Sequence, residues 1–324
     1  MNFPYNAYLA SFVCALATTL ATLPLWRRWC LRTGLVDDPG HRKIHDRPIP
    51  LAGGLAVLTG LLVPLVGAAA LLTIGGSQIT GAGELLYGLK ARAIQLSAIA
   101  LGAIGVVILG LYDDKHELRP LSKFAGQLLV AALLAAGGVR ITLFVPSVVF
   151  SYAVTILWLL TVINAFNFMD NMNGLCAGLG VIGAGLLATV AASHGQYLVA
   201  LIAALTCGAL LGFLPYNFPK ATAFLGDSGS HLVGYLLAVL TVLPHFYTET
   251  SPRRWAVITP LLVLAVPLVD LVWVVVLRWR MGKPYYLGDT NHLSHRLVRA
   301  GLKPAVAVVL IWLAAALIGA LAFL

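Results

Sequence analysis

Residues 148–174 read VVFSYAVTILWLLTVINAFNFMDNMNG, an apolar run that ends in a cluster of polar side chains. The first sixteen residues are mostly apolar, and the last eleven contain four Asn and one Asp. At about 100° per residue, four polar side chains fall within one third of a helix circumference: Asn164, Asn167, Asp170 and Asn171. A polar stripe at the end of an apolar helix needs partners that offset its desolvation. A packing motif or a loop turn is the alternative, but four similar polar stretches elsewhere favour a shared site.

The composition predicts a membrane protein. Of the 324 residues, 60% are hydrophobic and 10% are charged, whereas about a quarter of the residues in soluble domains are charged. Apolar runs near or above about 18 residues recur along the chain, as transmembrane helices require. We therefore expect an all-α, polytopic transmembrane helical bundle that forms one domain over residues 1–324, with its first apolar run retained as a span. Ten spans are predicted, at residues 5–29, 51–73, 93–112, 121–140, 148–168, 174–193, 196–215, 229–247, 255–280 and 304–324.

The charged residues are distributed unequally between the two sides of this predicted bundle. Loops after odd-numbered spans hold sixteen of the twenty-one Lys and Arg residues, which places those loops in the cytoplasm and both termini outside. Nine of the twelve acids and six of the eight His lie on the same side. The net charge of +9 suits anionic lipid headgroups or phosphorylated substrates. Nucleic acid is not expected, because no soluble basic domain is present. The four scattered Cys support neither a zinc site nor a disulfide framework.

The first cytoplasmic loop, DDPGHRKIHDRPIPLAGG at residues 37–54, is dense in cations. Arg42, Lys43 and His45 are therefore candidates for contacts with phosphate groups. Simple anchoring of a basic loop on the cytoplasmic side explains the same residues equally well. The loop alone leaves both interpretations open.

The third span ends in GLYDDKHELRPLSK, at residues 110–123. The adjacent carboxylates of Asp113 and Asp114 repel one another, an arrangement expected beside a divalent cation or a cationic partner. Capping of a helix needs only one of them. Lys123 is placed either to reach back to a phosphate or to extend its ammonium to the membrane surface.

The fourth cytoplasmic loop contains YNFPKATAFLGDSGS, at residues 216–230. Its glycines permit close backbone approach, and the helix that follows offers its N-terminus to an anion. An N-cap by Asp or Ser is the simpler interpretation of this helix start, and both interpretations can hold together: Ser228 caps the helix, and Asp227 binds a metal ion with Asp114.

The last loop reads KPYYLGDTNHLSHRL, at residues 283–297. His292 and His295 are three residues apart and would share one face of a helix. Contact with phosphate by these imidazoles and by Arg296 fits better than zinc, although a basic surface rim is the simpler alternative. Asp270 lies inside the ninth predicted span. Acids in that position are functional candidates, but a structural bond to a neighbouring helix is the favoured interpretation here.

Taken together, the polar stretches resemble the polyprenyl-phosphate N-acetylhexosamine-1-phosphate transferase family of bacterial membranes. Five motifs carry the resemblance, all in family order and in loops on one side: PGHRKIHDRPIPLAGG, GLYDDKHELRPLSKFAGQ, NAFNFMDNMNGL, FLGDSGS and GDTNHLSH. The resemblance covers nearly the whole chain, and the ten predicted spans are also typical of this family. It implies an enzyme of the cytoplasmic membrane that transfers sugar 1-phosphate from a UDP-N-acetylhexosamine to a polyprenyl phosphate and releases UMP. The implied cofactor is Mg²⁺, with Mn²⁺ as the alternative.

The resemblance also implies roles for individual residues. The paired Asp113 and Asp114 match the carboxylates that bind or activate the lipid phosphate, and Asp227 matches the metal ligand. The remaining positions match an acid, amides that line the site and the His-rich loop; they are Asp170, Asn164, Asn167, Asn217, His292 and His295.

The chain departs from the family pattern at two positions. Asn173 replaces an Asp associated with the nucleotide pocket, and Ser294 replaces one of three His in the last loop. A non-catalytic homologue is therefore one alternative, and a secondary transporter of an anionic solute is another. The transporter predicts charges near the bilayer midplane, whereas these acids gather at one surface. A prenyltransferase is disfavoured because the chain has a single aspartate-rich motif. Formation of a homodimer stays open.

Overall fold

The computed structural model describes residues 3–38, 47–75, 81–143, 145–244, 257–284 and 289–323. Within these ranges the α-helices are α1 (Tyr5–Thr33), α2 (Gly53–Gly75), α3 (Ala82–Ala91), α4 (Ala93–His116), α5 (Pro120–Ala136), α6 (Val148–Met169), α7 (Leu175–Ser193), α8 (Tyr197–Asn217), α9 (Gly226–Val242), α10 (Thr259–Val263), α11 (Ala265–Arg280), α12 (Leu293–Arg299) and α13 (Pro304–Ala320). A short 3₁₀-helix follows at Leu321–Phe323. The fold is therefore all-α, as predicted.

Seven helices in the described part of the chain are long and apolar enough to cross a membrane: α1, α2, α4, α6, α7, α8 and α13. They make the chain a multi-pass membrane protein. The helices α5, α9 and α11 coincide with the other three predicted spans but have only 17, 17 and 16 residues. The predicted count of ten spans is therefore not confirmed.

Two details differ from the predicted helix pattern. The predicted span at 255–280 is interrupted, because α10 ends at Val263 and α11 begins at Ala265. Pro267 has no N–H to donate to the carbonyl four residues earlier, so a continuous helix would lose a bond there. In addition, a two-residue antiparallel pair joins β1 (Val36–Asp37) to β2 (Ile49–Pro50).

Helix α9 lies at the centre of the bundle. It contacts α2, α4, α6, α7 and α8, and every residue from Ser228 to Thr241 is buried. Lipid tails are as apolar as a protein core, so close approach at small residues and polar contacts hold such helices together. A Cβ atom at Gly110 would lie 2.3 Å from the Cα of Ser228, and one at Gly234 would lie 2.6 Å from the Cα of Ile163. These glycines let α4 approach α9 near its polar end and α6 approach it near its middle.

Candidate active site

The start of α9 is capped by a carboxylate from another helix. Asp114, on α4, accepts the backbone N–H of Asp227 at 2.6 Å and that of Ser228 at 3.2 Å, one with each oxygen. The first N–H groups of a helix have no partners within it, and Leu225, which precedes α9, supplies no side-chain acceptor. The predicted cap by Ser228 is wrong, because its hydroxyl donates to the Leu225 carbonyl at 3.4 Å instead. Asp114 therefore links α4 to the start of α9 and helps to fix the position of Asp227.

Lys123 joins two of the predicted site carboxylates. Its Nζ lies 2.8 Å from Oδ2 of Asp113 and 2.7 Å from Oδ2 of Asp227. Asp113 also accepts the backbone N–H of Leu118 at 2.8 Å, which fixes the turn between α4 and α5. The side chain of Asp113 is 7% exposed, whereas that of Asp227 is 34% exposed. Asp227 is therefore the more accessible carboxylate of this pair.

Asn167 of α6 also contacts the cluster formed by Asp113, Lys123 and Asp227. Asn167 donates to Oδ1 of Asp227 at 2.6 Å and to the hydroxyl of Ser230 at 2.9 Å. A hydrogen bond to a carboxylate is stronger than one between neutral groups. Within the polar stripe predicted on α6, Asn167 therefore faces α9 and donates to the carboxylate of Asp227.

Gln127 and His231 belong to this polar network but were not assigned a role from the sequence. Asn164 donates to Oε1 of Gln127 at 2.8 Å, and Nε2 of Gln127 lies 3.3 Å from Nε2 of His231. Gln127 follows Lys123 by four residues, and His231 follows Asp227 by four. Residues four apart share a helical face, so this spacing was the available signal.

Asp170 lies at the end of α6, where the helix opens into the polar turn. Burial raises the pKa of its carboxyl to about 8, and the negative charges of Asp227 and Asp114 add to the effect. Both effects therefore favour the protonated carboxyl when no cation is bound. A nearby positive charge would favour ionisation of Asp170.

The two imidazoles of the last loop, His292 and His295, lie in different surroundings. Nδ1 of His292 lies 2.6 Å from Oδ2 of Asp270, and both side chains are buried. His295 lines the large cleft described below. Burial lowers the pKa of His295, and the neighbouring Arg299 guanidinium adds to this effect, so the neutral imidazole is favoured. The guanidinium of Arg296 lies 4.9 Å from the ring centroid of Trp273.

The two departures from the family pattern have defined hydrogen-bond partners. Ser294 is buried and donates its hydroxyl to Oδ1 of Asn171 at 2.6 Å. Asn173 donates to the carbonyl of Pro219 at 3.2 Å. Asn217 is also engaged with the backbone, accepting the N–H of Gly174 at 2.7 Å. These residues therefore join the polar turn after α6 to its neighbouring segments.

One cleft of about 2650 Å³ contains most of the predicted site residues. Its charged lining includes Asp113, Asp114, Lys123, Asp170 and Asp227. The predicted amides Asn164, Asn167, Asn173 and Asn217 line it as well, together with His295. His292 and Arg296 are not among the described lining residues. Lys43 and His45 lie outside the described residues. The cleft therefore brings together segments that are more than 100 residues apart in sequence.

The carboxylates in the cleft are suited to Mg²⁺ but not to an all-protein metal cage. Among the described residues, no three His, Cys, Asp or Glu side chains form a group that could hold a metal ion. Mg²⁺ commonly binds through one or two carboxylates and the phosphates of its substrate, and it keeps several waters. The partly exposed carboxylate of Asp227, oriented by Asn167, fits this mode of binding.

Comparisons with known proteins show the family to which the chain belongs. Residues 96–245 match Glycosyl transferase family 4. The chain is 32% identical over 313 residues to the probable undecaprenyl-phosphate N-acetylglucosaminyl 1-phosphate transferase of Bacillus subtilis (strain 168), covering 94% of this chain and 81% of the relative. It is 34% identical over 333 residues to the decaprenyl-phosphate N-acetylglucosaminephosphotransferase of Mycobacterium tuberculosis (strain ATCC 25618 / H37Rv), covering 94% and 79%.

A more distant relative is the undecaprenyl-phosphate alpha-N-acetylglucosaminyl 1-phosphate transferase of Escherichia coli (strain K12). The two chains are 28% identical over 315 residues, which cover 92% of this chain and 78% of the relative. The family match includes the segments that carry Asp113, Asp114, Asp170 and Asp227. Identity above 30% over most of the length of two relatives, together with the resemblance of five motifs, identifies the family. The chain belongs to the polyprenyl-phosphate N-acetylglucosamine-1-phosphate transferases of Glycosyl transferase family 4.

Proposed function

We propose that this protein transfers N-acetylhexosamine 1-phosphate from a UDP-sugar to a membrane polyprenyl phosphate and releases UMP, the first membrane step of a cell-envelope glycan. The observation that carries the proposal is the Asp113–Lys123–Asp227 cluster, which lies in one cleft with an apolar wall. Such a cleft accommodates a lipid tail and phosphate groups at the same time. The excess of basic residues in the loops on this side supports a cytoplasmic location for the site, with both termini outside.

The apolar wall supports a lipid substrate. It includes Leu157 and Leu160 on α6 and Leu271 and Val275 on α11. Leu157 is 65% exposed, and in a membrane-spanning helix such a side chain faces lipid or a lipid ligand. A polyprenyl tail along this wall would bring its phosphate towards Lys123, which lines the same cleft.

The transfer exchanges one phosphoanhydride bond for another. An oxygen of the polyprenyl phosphate attacks the phosphorus that carries the sugar, and the bond from this phosphorus to the oxygen that bridges the two phosphates breaks. That oxygen leaves with UMP. A phosphomonoester has a second pKa of about 6 and is mostly dianionic at neutral pH, so no general base is obligatory. The protein's task is therefore to position the phosphates and offset their negative charge.

Each polar side chain has a proposed part in this task. Asp227, held by Asn167, is the residue that would hold Mg²⁺, and Asp114 supports it by capping α9. When bound, Mg²⁺ neutralises charge on the diphosphate. Lys123 offsets charge on the incoming phosphate, and Asp113 orients the Lys123 ammonium.

The remaining predicted residues are assigned to the substrates. His295 faces the cleft as a neutral donor to phosphate. Asn173 and Asn217 shape the side proposed for the nucleotide. Lys43 and His45 are proposed to contact phosphate from the first loop.

The proposal is tested with purified protein in detergent, undecaprenyl phosphate and a panel of UDP-sugars. We expect release of UMP that requires both substrates and a divalent cation, with Mg²⁺ and Mn²⁺ compared against EDTA. UDP-N-acetylglucosamine is the donor expected to react fastest, since the relatives are named for that sugar. Absence of UMP with every donor, from protein that remains folded, would contradict the proposal. Uptake of an anionic solute into protein-containing vesicles without UMP release would favour a transporter.

The Asn173→Asp variant tests the proposed nucleotide side of the cleft. A carboxylate cannot donate to the Pro219 carbonyl that Asn173 contacts at 3.2 Å. The turn after α6, which contains Asn173, should therefore separate from the segment that contains Pro219. We expect a rise of about 2- to 10-fold in the KM for the UDP-sugar, the range of one lost hydrogen bond, with little change in kcat. Steady-state kinetics measures this, and Asn173→Ala separates loss of the bond from the added charge. An unchanged KM in both variants would remove Asn173 from the nucleotide pocket.

A further inference from the structure

Asp270 is a buried carboxylate on α11 that is engaged by the start of α12. Its Oδ2 pairs with Nδ1 of His292 at 2.6 Å, and its Oδ1 accepts the backbone N–H of Leu293 at 2.7 Å. Asp270 is 3% exposed and His292 is 4% exposed. One oxygen of Asp270 thus pairs with the His292 imidazole and the other with the Leu293 backbone, and Asp270 is not among the residues that line the cleft.

Helix α12 depends on contacts of this kind for its position. It has seven residues, and its N-cap residue, His292, provides no side-chain acceptor for the free N–H groups. A helix this short does not persist on its own in solution. A buried carboxylate is also costly unless it is fully hydrogen-bonded. The pairing between Asp270 and the first turn of α12 satisfies both requirements at once.

The position of α12 determines what faces the cleft. His295 is the third residue of this helix, and it lines the cleft that contains Asp227 and Lys123. His292 packs edge-to-face against Phe168 of α6, with ring centroids 5.6 Å apart. Rotation or unwinding of α12 would therefore move the imidazole of His295 relative to the carboxylate cluster.

We infer that Asp270 is a positioning residue for the transfer reaction: by capping α12 and holding His292, it keeps His295 directed into the cleft. This inference rests on the proposed function for its catalytic consequence. Asp270 itself contacts neither substrate in this arrangement, and its effect reaches the reaction only through α12.

Other contacts hold the flanks of the same segment. Asp289 pairs with Arg278 of α11 at 2.9 Å, and Ser294 donates to Asn171 at 2.6 Å. Neither satisfies the first N–H of α12. They keep the segment near the bundle when Asp270 is replaced, so the variants below are expected to fold.

The kinetic test is a double-mutant cycle between Asp270→Asn and His295→Ala. In the otherwise unchanged protein, Asp270→Asn should lower kcat on the order of 10- to 100-fold, the usual effect of removing a group that orients an active residue. In the His295→Ala background the same change should cost less than about twofold, because the residue that it positions is gone. Equal losses in both backgrounds would mean a purely structural role and would overturn the inference. Asp270→Ala, which also removes the cap of Leu293, should lose more activity than Asp270→Asn.

Hydrogen exchange provides a measurement that does not depend on activity. Amides of residues 293–299 should exchange roughly tenfold faster in Asp270→Ala than in the unchanged protein, since their helix is no longer capped. The matched control is Glu84→Gln, which alters an exposed acid on α3 and should leave this exchange unaltered. Unchanged exchange in Asp270→Ala would overturn the inference. If the unchanged protein released no UMP, the proposed function would fail, while exchange would still decide whether Asp270 holds α12.

Discussion

Replacement of Asp227 by Asn is expected to abolish transfer while the protein stays folded in detergent. The substitution keeps the size of the side chain but removes the most accessible negative charge next to Lys123. Without that charge, the proposed cation cannot be held against the donor diphosphate. Charge stabilisation by a catalytic metal is worth several kcal/mol, and each 1.36 kcal/mol corresponds to about a tenfold change in rate. We therefore expect kcat to fall by at least about 1000-fold.

The measurement is UMP release at saturating donor and acceptor over a titration of Mg²⁺. Excess Mg²⁺ should not restore the activity of Asp227→Asn, since the group that binds the ion is missing. The matched control is Glu84→Gln, which removes one negative charge from the exposed helix α3 and should keep normal activity. Thermal unfolding of both variants in detergent reports on folding. Near-normal turnover of folded Asp227→Asn would contradict the metal-binding role.

The second large effect is expected at Asp114, by a different mechanism. Its two oxygens accept the N–H groups of Asp227 and Ser228, so Asp114→Ala leaves two partly buried donors unsatisfied. Each such group costs about 1–3 kcal/mol, and the start of α9 should shift as a result. Because Asp227 lies in this first turn, kcat should fall by at least about 100-fold, the range reported for an active group displaced by about 1 Å. The Tm should fall as well, unlike in Asp227→Asn.

A Mg²⁺ titration distinguishes capping from metal binding at Asp114. If Asp114 acts as a cap, Asp114→Asn should retain part of the activity, because the amide oxygen still accepts one N–H, and its residual activity should saturate at the usual Mg²⁺ concentration. Direct ligation by Asp114 instead predicts that much more Mg²⁺ is needed. A variant with normal Tm and a strongly raised Mg²⁺ requirement would show that the capping role is wrong.

Several features of the molecule followed from the order of residues alone. Runs such as Val148–Ile163 predict a helix in a membrane, because only helices and closed barrels satisfy the backbone there and barrel strands alternate apolar with polar residues. The clustering of charge at one end of the bundle likewise predicted that the polar stretches would meet, and the cleft confirms it for Asp113, Lys123 and Asp227. The prediction of one continuous span at 255–280 was wrong, because α10 ends at Val263 and α11 begins at Ala265. That prediction gave more weight to the apolar composition than to Pro267.

The sequence was thus sufficient to predict the family and the all-α membrane fold. It was not sufficient to predict the separate roles of neighbouring acids. Asp113 and Asp114 are adjacent, yet one pairs with Lys123 and the other caps α9. Asp270, in the middle of an apolar stretch, pairs with His292 at the start of α12. Hydrogen bonds have short range and strict direction, so such assignments depend on how the helices pack and on which side of each helix faces its neighbour. Composition and spacing state which groups are available, and only packed helices decide which of them meet.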